Sequence, residues 1–467
     1  MGSYDRGGRV TPAEERSPGS GETQEVAMGR RLAMSLEPPI SVQKLQAALQ
    51  AKAKGSPGYR FYLLYDKVYR ADVLAYAYRR CKANGGAPGI DGQGFADIEA
   101  YGAERWLGEL AEILRVKSYR TSPVRRVWIP KAGGKLRPLG IPRILDRVVM
   151  VAAAVVLEPI FEADLPREQH GYRATLSAHT AVKAINRLLN TGHRQVIEAD
   201  LADYFGSIPH AELLKSVARR VSDRHVLHLI KMWLDAPVEE DDGKGGRKRT
   251  TRAKDTGRGV SQGAPISPLL SNLYLHRFVL GWKKSGLEER LRARIVAYAD
   301  DFVICCGGSA EEAMAGMRQL MERLKLTINE TKTHIRRLPE ERFDFLGFTF
   351  GRYYSPKTGQ AYLCAWPSRR SVSRIVGVIR EATRHGTSWQ EDGEKVHELN
   401  RTLRGWANYF SLGPVDKAYK AINEYTPRRL RRWLCNKHKV GSTGVTRYPT
   451  ASLFDTLGLY KLRPRPA

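Results

Sequence analysis

Two adjacent carboxylates, Asp300 and Asp301, end the tetrapeptide Tyr-Ala-Asp-Asp at residues 298–301, which the flanking sequence places at the tip of a β-hairpin. The apolar runs at 294–297 and 302–306 are typical of two strands joined by a tight turn. Neighbouring side chains of a strand point to opposite faces, whereas at a turn both carboxylates can approach one site. Because like charges held this close repel each other, the pair favours a hard divalent cation such as Mg²⁺.

A second strand that ends in an acid strengthens this interpretation. An acidic turn alone is usually a solvated hairpin tip, and the tetrapeptide is short enough to arise by chance. The β-branched run at 195–199, however, leads directly into Asp200. Two-metal phosphoryl-transfer sites take acidic ligands from separate chain segments to hold two ions roughly 3.5–4 Å apart. Asp200 and Asp300 would supply such a pair.

The charge of the whole chain indicates a polyanionic partner. Its 467 residues contain 77 Lys and Arg against 49 Asp and Glu, a formal net charge of +28. Nucleic acid is the first candidate, because neutralising phosphates releases counterions, and an anionic membrane surface is the second. The longest apolar run, 148–157, is too short to span a bilayer and no signal peptide is visible, so membrane anchoring is not expected.

The five cysteines predict a reduced protein of the cytoplasm. They are scattered without the paired spacing of a metal site, and Cys305 and Cys306 lie inside the strand after the acidic turn. We interpret them as small reduced residues of the core or surface. A chain of this length, with 42% hydrophobic residues, can bury a large core, and two or three structural units are expected.

A basic β-hairpin is predicted between residues 124 and 142. Two strand-like segments flank a Gly-Gly turn, and Lys131 and Arg137 lie near that turn. A basic hairpin is more often a solvated sheet edge that prevents aggregation. Beside a metal site it becomes a candidate binding element for a triphosphate, because Arg offers bidentate donors and Lys a point charge.

Helices and strands alternate along the rest of the chain. The tight loop 259–268 opens a helix, and Gln262 within it is either an ordinary loop amide or a contact to a base pair or sugar. Aromatic and small residues alternate over 343–350 as in one half-buried strand, and turn formers at 355–359 indicate a domain boundary. The helices predicted up to this boundary cover residues 42–54, 65–82, 148–157, 178–189, 210–221, 224–234, 269–280 and 311–324.

The C-terminal part is predicted to be helical and basic. Its last helix, 415–438, interleaves Trp and Tyr with Arg, as helices do that follow a nucleic-acid backbone and stack on exposed bases. Charge runs of this kind are otherwise usually solvated faces. The candidate nucleic-acid-binding residues are Arg428, Arg429, Arg431, Arg432, Lys437 and Lys439.

Taken in order from about residue 68 to the end, these motifs resemble those of group II intron-encoded reverse transcriptases of the maturase type. Residues 87–92, Ala-Pro-Gly-Ile-Asp-Gly, are similar to the N-terminal extension loop of that family. The other motifs are similar to its fingers hairpin (129–131 and 137–142), its nucleotide-side loop (262–268), its primer grip (345–348) and its thumb signature (403–410). Residues 168–173 and 260–261 depart from the family pattern, and neither segment contains a candidate metal ligand.

The resemblance implies an α+β fold of the right-hand polymerase type. Fingers and palm would combine an antiparallel palm sheet with helices, and the thumb or maturase domain would be all-helical. The implied divisions are a disordered leader (1–36), an N-terminal extension with the start of the fingers (37–118), the fingers and palm (119–354), the thumb (355–438) and a short DNA-binding-like tail (439–467). Cys435 and His438 stand alone there, so no zinc-stabilised HNH endonuclease is expected.

The resemblance also implies roles for the catalytic candidates. Asp200 and Asp300 would hold two Mg²⁺ ions, for which Mn²⁺ can substitute, and Asp301 would lie close behind them. Lys131 and Arg137 would bind the incoming triphosphate.

Three further residues complete the implied nucleotide site. Phe205 would select dNTPs by blocking a ribose 2′-OH. Gln262 would contact the nucleotide side of the site, and Lys332 would protonate the leaving pyrophosphate, with a plain surface lysine as the alternative.

The implied function is RNA-directed DNA synthesis combined with maturase activity, in which the protein binds its intron RNA to promote splicing and retrohoming. The partners would be group II intron RNA, an RNA template with a DNA primer, target DNA and dNTPs, in a bacterial cytoplasm and without a membrane. Two alternatives stay open: a maturase that only binds RNA for splicing, and a relative recruited for defence or DNA repair. The oligomeric state, monomer or dimer, also stays open.

Overall fold

The computed structural model describes residues 36–130, 136–242, 246–355 and 358–464. It contains two compact units, Met1–Asp164 with Val217–Ser267, and Leu165–Ser216 with Pro268–Ala467. Almost all of the predicted leader, and the turn residue Lys131, lie outside the described residues. The finer division of the chain into extension, palm, thumb and tail stays a prediction.

Helices and strands alternate through both units, which confirms the α+β class. The strands are β1 (Val124–Pro130), β2 (Leu136–Ile141), β3 (Gln195–Ala199), β4 (Val238–Asp241), β5 (Arg247–Thr250), β6 (Ala293–Tyr298), β7 (Asp301–Cys306), β8 (His334–Arg337), β9 (Phe343–Phe345), β10 (Phe348–Tyr354) and β11 (Ala361–Pro367). The helices of the N-terminal half are α1 (Ile40–Gly55), α2 (Tyr65–Val68), α3 (Ala71–Asn84), α4 (Phe95–Tyr101), α5 (Ala103–Arg115), α6 (Ile144–Glu162), α7 (Ala178–Asn190), α8 (Tyr204–Ser207), α9 (His210–Ala218) and α10 (Arg224–Leu234). Those that follow are α11 (Arg252–Thr256), α12 (Ser267–Lys284), α13 (Leu287–Arg290), α14 (Ala310–Arg323), α15 (Arg369–Ala382), α16 (Asp392–Tyr409), α17 (Asp416–Lys437) and α18 (Thr450–Asp455).

Strand β3, which leads into Asp200, lies in a four-stranded sheet of the second unit. The strand order is β6-β7-β3-β8, and each neighbouring pair is antiparallel. Val196, Val296 and Val303 of this sheet share a hydrophobic core with apolar residues of helix α7. One face of the sheet is therefore buried against a helix, which makes the sheet a rigid support for side chains at its ends.

The segment 343–350 corrects a prediction, because it is a tight hairpin rather than one strand. Strands β9 and β10 are joined by Leu346 and Gly347, whose backbones are left-handed at φ 50° and 79°. Glycine adopts this conformation without strain, so the Leu-Gly pair between two aromatic runs marks the turn. Strand β10 also pairs with β11, so one sheet has strands on both sides of the boundary predicted at 355–359.

Helices α15 to α18 surround a second hydrophobic core in this unit, as the helical pattern of the C-terminal part predicts. Leu399 and Leu403 of α16 pack with Leu430 and Trp433 of α17, and all four are almost completely buried. Each of these helices buries an apolar stripe, which is how amphipathic helices are stabilised in a bundle.

Helix α6 is the centre of the first unit. Most of its residues are buried, and helices α1 and α3 pack against it. The guanidinium group of Arg147 donates to the carbonyl oxygens of Pro142 (2.9 Å) and Ala87 (2.6 Å), which fixes the loop 85–92 beside the helix. Although α6 is apolar, no helix in the described ranges is long and apolar enough to cross a membrane.

The predicted basic hairpin is confirmed as strands β1 and β2, in which Ile129 lies opposite Arg137. A second hairpin, formed by β4 and β5, extends it to a sheet of order β2-β1-β4-β5. Strands β4 and β5 therefore belong to the same sheet as the basic hairpin. Strands β1 and β4 are parallel, unlike the other pairs of this sheet.

A buried carboxylate fixes the base of the basic hairpin. Asp146 is fully buried, and its Oδ1 accepts a hydrogen bond from the hydroxyl of Tyr119 (2.5 Å). Its Oδ2 accepts from Nε of Arg143 (2.9 Å) and from the backbone N–H of Ser122 (3.2 Å). The indole N–H of Trp233 donates to the Tyr119 hydroxyl (3.0 Å). This network joins both ends of the hairpin to helices α6 and α10.

Tyr119→Phe is expected to lower the free energy of unfolding by roughly 1–3 kcal/mol, because it deprives a buried carboxylate oxygen and a buried indole N–H of their partner. Denaturant titration followed by circular dichroism measures the change. Tyr101→Phe is the matched control, since Tyr101 is 46% exposed and bonds Glu109 at the surface. The control should change the free energy by less than about 0.5 kcal/mol, and equal effects of the two substitutions would contradict the role of the network.

Candidate active site

Strand pairing brings the three candidate aspartates to one end of the β6-β7-β3-β8 sheet. Ala199, the last residue of β3, lies opposite the second residue of β7, so Asp200 and Asp301 follow at the same end of neighbouring strands. Tyr298 pairs with Asp301 across the two-residue turn that contains Asp300. Carboxylates from two distant segments of the chain therefore share one sheet end, as the sequence predicts.

The repulsion between these carboxylates affects the pKa of Asp301. Desolvation by the surrounding protein, followed by the charges of Asp300 and Asp200, raises this pKa to about 6, whereas Lys332 lowers it. This rise occurs although part of the Asp301 side chain is exposed. Burial, followed by the charge of Asp300, raises the pKa of Tyr204. Acidic groups that disfavour each other's charge in this way are stabilised by a nearby cation.

The segment after helix α14 holds Asp200 in place. Its Oδ2 accepts hydrogen bonds from Nδ2 of Asn329 (3.0 Å) and from Nζ of Lys332 (2.9 Å). The backbone N–H of Asn329 donates to the carbonyl oxygen of Asp200 (2.8 Å). Lys332 therefore contacts one of the candidate metal ligands, while its side chain remains 65% exposed. Its role as a proton donor stays a prediction.

Phe205 is a buried ring five residues after Asp200. It lies in the one-turn helix α8, is 6% exposed and contacts the ring of Tyr204 edge-on, with the ring centroids 5.7 Å apart. The hydroxyl of Tyr204 donates to the carbonyl oxygen of Ser271 (2.7 Å), which fixes the position of α8. The ring is thus held rigidly, and its part in nucleotide selection stays a prediction.

The segment 168–171 supports the acidic turn, a function that the sequence did not indicate. The backbone N–H of His170 donates to the carbonyl oxygen of Ala297 on the edge strand β6 (2.7 Å). A Cβ on Gly171 would lie only 2.4 Å from the backbone nitrogen of Ala299. A side chain at this position would therefore force the turn and the segment apart. The glycine in Gln-His-Gly-Tyr was the available signal.

Asn272 of helix α12 ties this supporting segment to the rest of the unit. Its side-chain amide donates to the carbonyl oxygen of Gly171 (2.8 Å), and its own backbone carbonyl accepts from Nε2 of Gln169 (3.0 Å). The acidic turn needs this support because the backbone of Ala299 is left-handed, with φ 59°. Such a conformation costs a residue with a Cβ about 1–2 kcal/mol and persists where neighbouring structure enforces it.

Arg137 and Gln262 lie in the first unit and contact each other. Nε of Arg137 donates to Oε1 of Gln262 (2.8 Å), and the backbone N–H of Gly140 donates to the carbonyl oxygen of Gln262 (2.6 Å). A Cβ on Gly263 would lie 2.4 Å from the Gly140 carbonyl oxygen, so this close approach also requires glycine. The loop is thereby fixed to strand β2. Triphosphate binding by Lys131 and Arg137 stays a prediction, since Lys131 is outside the described residues.

The six basic residues predicted to bind nucleic acid divide into two groups. Three of them hold the helical core together through hydrogen bonds to backbone carbonyl groups: Arg429, Arg431 and Lys437. The other three are exposed: Arg428, Arg432 and Lys439. The exposed group has its charged ends at the surface, where a phosphate backbone can reach them.

The carboxylates fit a hard divalent cation that is only partly coordinated by protein. In the described ranges, no three His, Cys, Asp or Glu side chains converge into a metal-binding group. Mg²⁺ does not require such a group, because it keeps several waters and is often bound through one or two carboxylates together with substrate phosphates. Asp200 and Asp300, whose charges both act on Asp301, provide oxygen donors of that type.

Two protein-family models match this chain. The first, described as reverse transcriptase (RNA-dependent DNA polymerase), covers residues 129–350 and includes each candidate residue of the catalytic and nucleotide sites. The second, described as the maturase-specific domain of group II introns, covers residues 372–448. It includes the helices α16 and α17 with their exposed basic residues.

Several curated proteins are similar in sequence. Protein YkfC of Escherichia coli K12 is 34% identical over 343 residues, which cover 66% of this chain and 87% of that protein. The group II intron-encoded protein LtrA of Lactococcus lactis subsp. cremoris is 29% identical over 338 residues, which cover 59% of this chain and 54% of LtrA. The putative COX1/OXI3 intron 2 protein of Saccharomyces cerevisiae is 28% identical over 445 residues, 82% of this chain and 48% of that protein. The chain thus spans about half the length of the latter two relatives.

Asp301→Asn is expected to make the protein more stable at neutral pH in buffer without divalent cations, because it removes a carboxylate that is desolvated and is also repelled by the charges of Asp300 and Asp200. The raised pKa of Asp301, about 6, means that its protonated form stabilises the fold below about pH 4 and that this contribution is lost as the pH rises through 6. The difference in free energy of unfolding between variant and wild type should therefore grow from about pH 4 to pH 7. Denaturant titration in the presence of a chelator measures it, and a difference independent of pH would contradict the raised pKa of Asp301.

Proposed function

The chain belongs to the family of group II intron reverse transcriptases with a maturase-specific domain, and from this we propose that it is an RNA-directed DNA polymerase that also assists the splicing of an intron RNA. The observation that supports the polymerase part is the strand pairing that places Asp200, Asp300 and Asp301 at one end of an antiparallel sheet. The net charge of +28 supports a nucleic-acid substrate.

The proposed substrates are a DNA primer annealed to an RNA template, together with dNTPs. In each cycle the primer 3′-OH attacks the α-phosphate of a dNTP, a new phosphodiester bond forms and pyrophosphate leaves. Asp200 and Asp300 would hold Mg²⁺ through their carboxylate oxygens. Divalent cations, when bound, supply positive charge that lowers the pKa of the attacking hydroxyl and neutralises the leaving oxygens.

The other candidate residues act on the nucleotide. The ammonium group of Lys332, 2.9 Å from Asp200, supports a role in proton donation to the leaving pyrophosphate. Arg137 uses one N–H on Gln262 and keeps further donors for bidentate contact with phosphate oxygens. Phe205 is held rigidly enough to exclude a 2′-OH by contact and so to select dNTPs over NTPs.

The proposed maturase activity uses a different surface. Arg428 and Arg432 lie one helical turn apart on α17 and are exposed, so they present two cations on one helix face. Cations spaced in this way neutralise phosphates of an RNA backbone without reading its sequence. Binding of a folded intron RNA requires no nucleotide transfer, so splicing assistance and polymerisation are separable.

Asp300→Asn is expected to reduce dNTP incorporation on poly(rA)/oligo(dT) by roughly a thousandfold or more. The substitution removes a negative charge that would hold the catalytic cation, and such a cation stabilises the transition state by several kcal/mol. Steady-state incorporation of labelled dTTP measures the loss. Asp455→Asn, the same change at an exposed position, should retain full activity. Polymerisation by Asp300→Asn at the wild-type rate would refute the assignment, whereas retained RNA binding shows that the variant is folded.

The double variant Arg428→Ala/Arg432→Ala is expected to weaken intron RNA binding and to reduce the slope of log K against log salt concentration by about 1.5, because each lost phosphate contact contributes about 0.7–0.9. Filter binding over a range of KCl concentrations measures both quantities. Arg290→Ala/Arg318→Ala is the matched control, because each of these exposed cations is bonded to a glutamate at 2.7 Å, whereas Arg428 lies 3.8 Å from Glu424. An unchanged salt slope in the first variant would exclude this surface as an RNA-binding site.

Splicing assistance by the Asp300→Asn variant should in contrast remain intact.

A further inference from the structure

One face of the β9-β10-β11 sheet carries a row of aromatic side chains, of which Tyr362 is exposed and Tyr353 and Trp366 are half-buried. Residues that lie opposite each other in an antiparallel pair point to the same face, and Tyr353 lies opposite Tyr362 while Thr349 lies opposite Trp366. The alternate residues, such as Phe348 and Phe350, are buried in the core on the other face. The three aromatic rings therefore project away from the core of the unit.

The three rings of this aromatic face form a continuous row. The centroid of Tyr353 lies 6.0 Å from that of Tyr362 and 5.8 Å from that of Trp366. The side chain of Tyr362 is 42% exposed. Gly351 lies between Thr349 and Tyr353 on strand β10. A Cβ at this position would lie 2.8 Å from the side chain of Arg342 and 3.3 Å from that of Trp366. The missing side chain therefore lets the arginine and the indole occupy the sheet surface.

Two of the rings each have a cation over them. The guanidinium carbon of Arg342 lies 5.5 Å from the centroid of Trp366, and Nζ of Lys417 lies 6.0 Å from the centroid of Tyr353. Both side chains are exposed, and within the described ranges neither forms an ion pair with a carboxylate. The acid on the same face, Asp344, accepts a hydrogen bond from Thr349 (2.6 Å). The aromatic face therefore offers two unneutralised cations next to flat rings.

We propose that this aromatic face binds single-stranded RNA, with two or three successive bases stacked on Trp366, Tyr353 and Tyr362 and the phosphates contacted by Arg342 and Lys417. Exposed aromatic rings on a sheet, bordered by basic side chains, are the features by which proteins bind unpaired bases. The aromatic face is a different surface from the aspartate site and from the exposed arginines of α17. The choice of RNA rests on the proposed function, whereas the stacking chemistry does not.

The composition of the face favours RNA over an apolar protein partner. The outward positions of the two strands carry Thr349, Gly351, Tyr353, Tyr362, Cys364 and Trp366, with no aliphatic side chain among them. A face built to bury an apolar helix or sheet would present leucine, isoleucine or valine, since these bury apolar area without a polar tip. Tyrosine hydroxyls and two unpaired cations at the border suit a hydrated polyanion instead.

The test measures binding of a fluorescein-labelled 12-nucleotide oligo(rU) to the full chain by anisotropy, without dNTPs and with the polymerase site saturated by an unlabelled primer–template duplex. Tyr353→Leu/Tyr362→Leu should raise the Kd by roughly 25-fold or more, because each of the two lost stacks contributes at least about a factor of five. The salt slope should stay unchanged in this variant. Arg342→Gln/Lys417→Gln should instead lower the slope, since it removes phosphate contacts.

Tyr354→Leu is the matched control, because Tyr354 is 59% exposed and alternates to the opposite face of the same strand. It should leave the Kd unchanged. Circular dichroism and extension of a preannealed primer establish that the double tyrosine variant is folded. Photocrosslinking with a 4-thiouridine oligomer should label the peptides that contain Tyr353 and Tyr362.

An unchanged Kd in the double tyrosine variant, with crosslinks elsewhere, overturns the proposal and leaves the face as a contact for another protein. The same oligomer in its DNA form should bind no more tightly than RNA, and a preference for DNA also overturns it. Wild-type protein that binds the RNA oligomer at this face but extends no primer would refute the polymerase assignment alone. The two proposals therefore fail independently.

Discussion

The antiparallel pairing of β3 with β7 is the constraint on which the candidate active site depends. Its register sets Ala199 opposite Phe302. Asp200, which follows β3, and Asp301, which begins β7, therefore lie at the same end of the sheet. A shift by one residue would turn each side chain to the opposite face. The burial of Val196 and Val303 in the core against α7 prevents such a shift. Hydrophobic packing on one face of the sheet thus determines where the charges lie.

The acids held in this way repel one another, and the surrounding structure offsets that repulsion. Lys332 and Asn329 both donate to Asp200, while the pKa of Asp301 remains raised to about 6. The strained turn at Ala299 is supported from outside by Gly171. Repulsion and strain of this kind are commonly retained at functional sites because they prepare the site for its ligand. In a hairpin that binds no ligand, the same repulsion and strain would only lower the stability of the fold.

Local patterns were sufficient to predict the parts of this site, because each part depends on short-range rules. Alternating apolar residues around the acidic tetrapeptide predicted the β6–β7 hairpin, and the β-branched run before Asp200 predicted β3. The support from Gly171 and Asn272 was not predictable, since it joins segments more than a hundred residues apart. The hairpin at 343–350 was missed because its aromatic alternation outweighed the Leu-Gly turn signal. Burial of Arg431 likewise depends on tertiary contacts with the segment around Tyr448.

The proposed function requires the three aspartates to act as one cation-dependent centre. Iron-mediated hydroxyl-radical mapping tests it most directly, because Fe²⁺ bound in place of Mg²⁺ cuts the backbone segments nearest to it. The account predicts cleavage around both Asp200 and Asp300 in the same molecule, suppressed by excess Mg²⁺ and absent in Asp200→Asn. Cleavage at one of these segments alone, or cleavage that Mg²⁺ does not suppress, would contradict a shared centre.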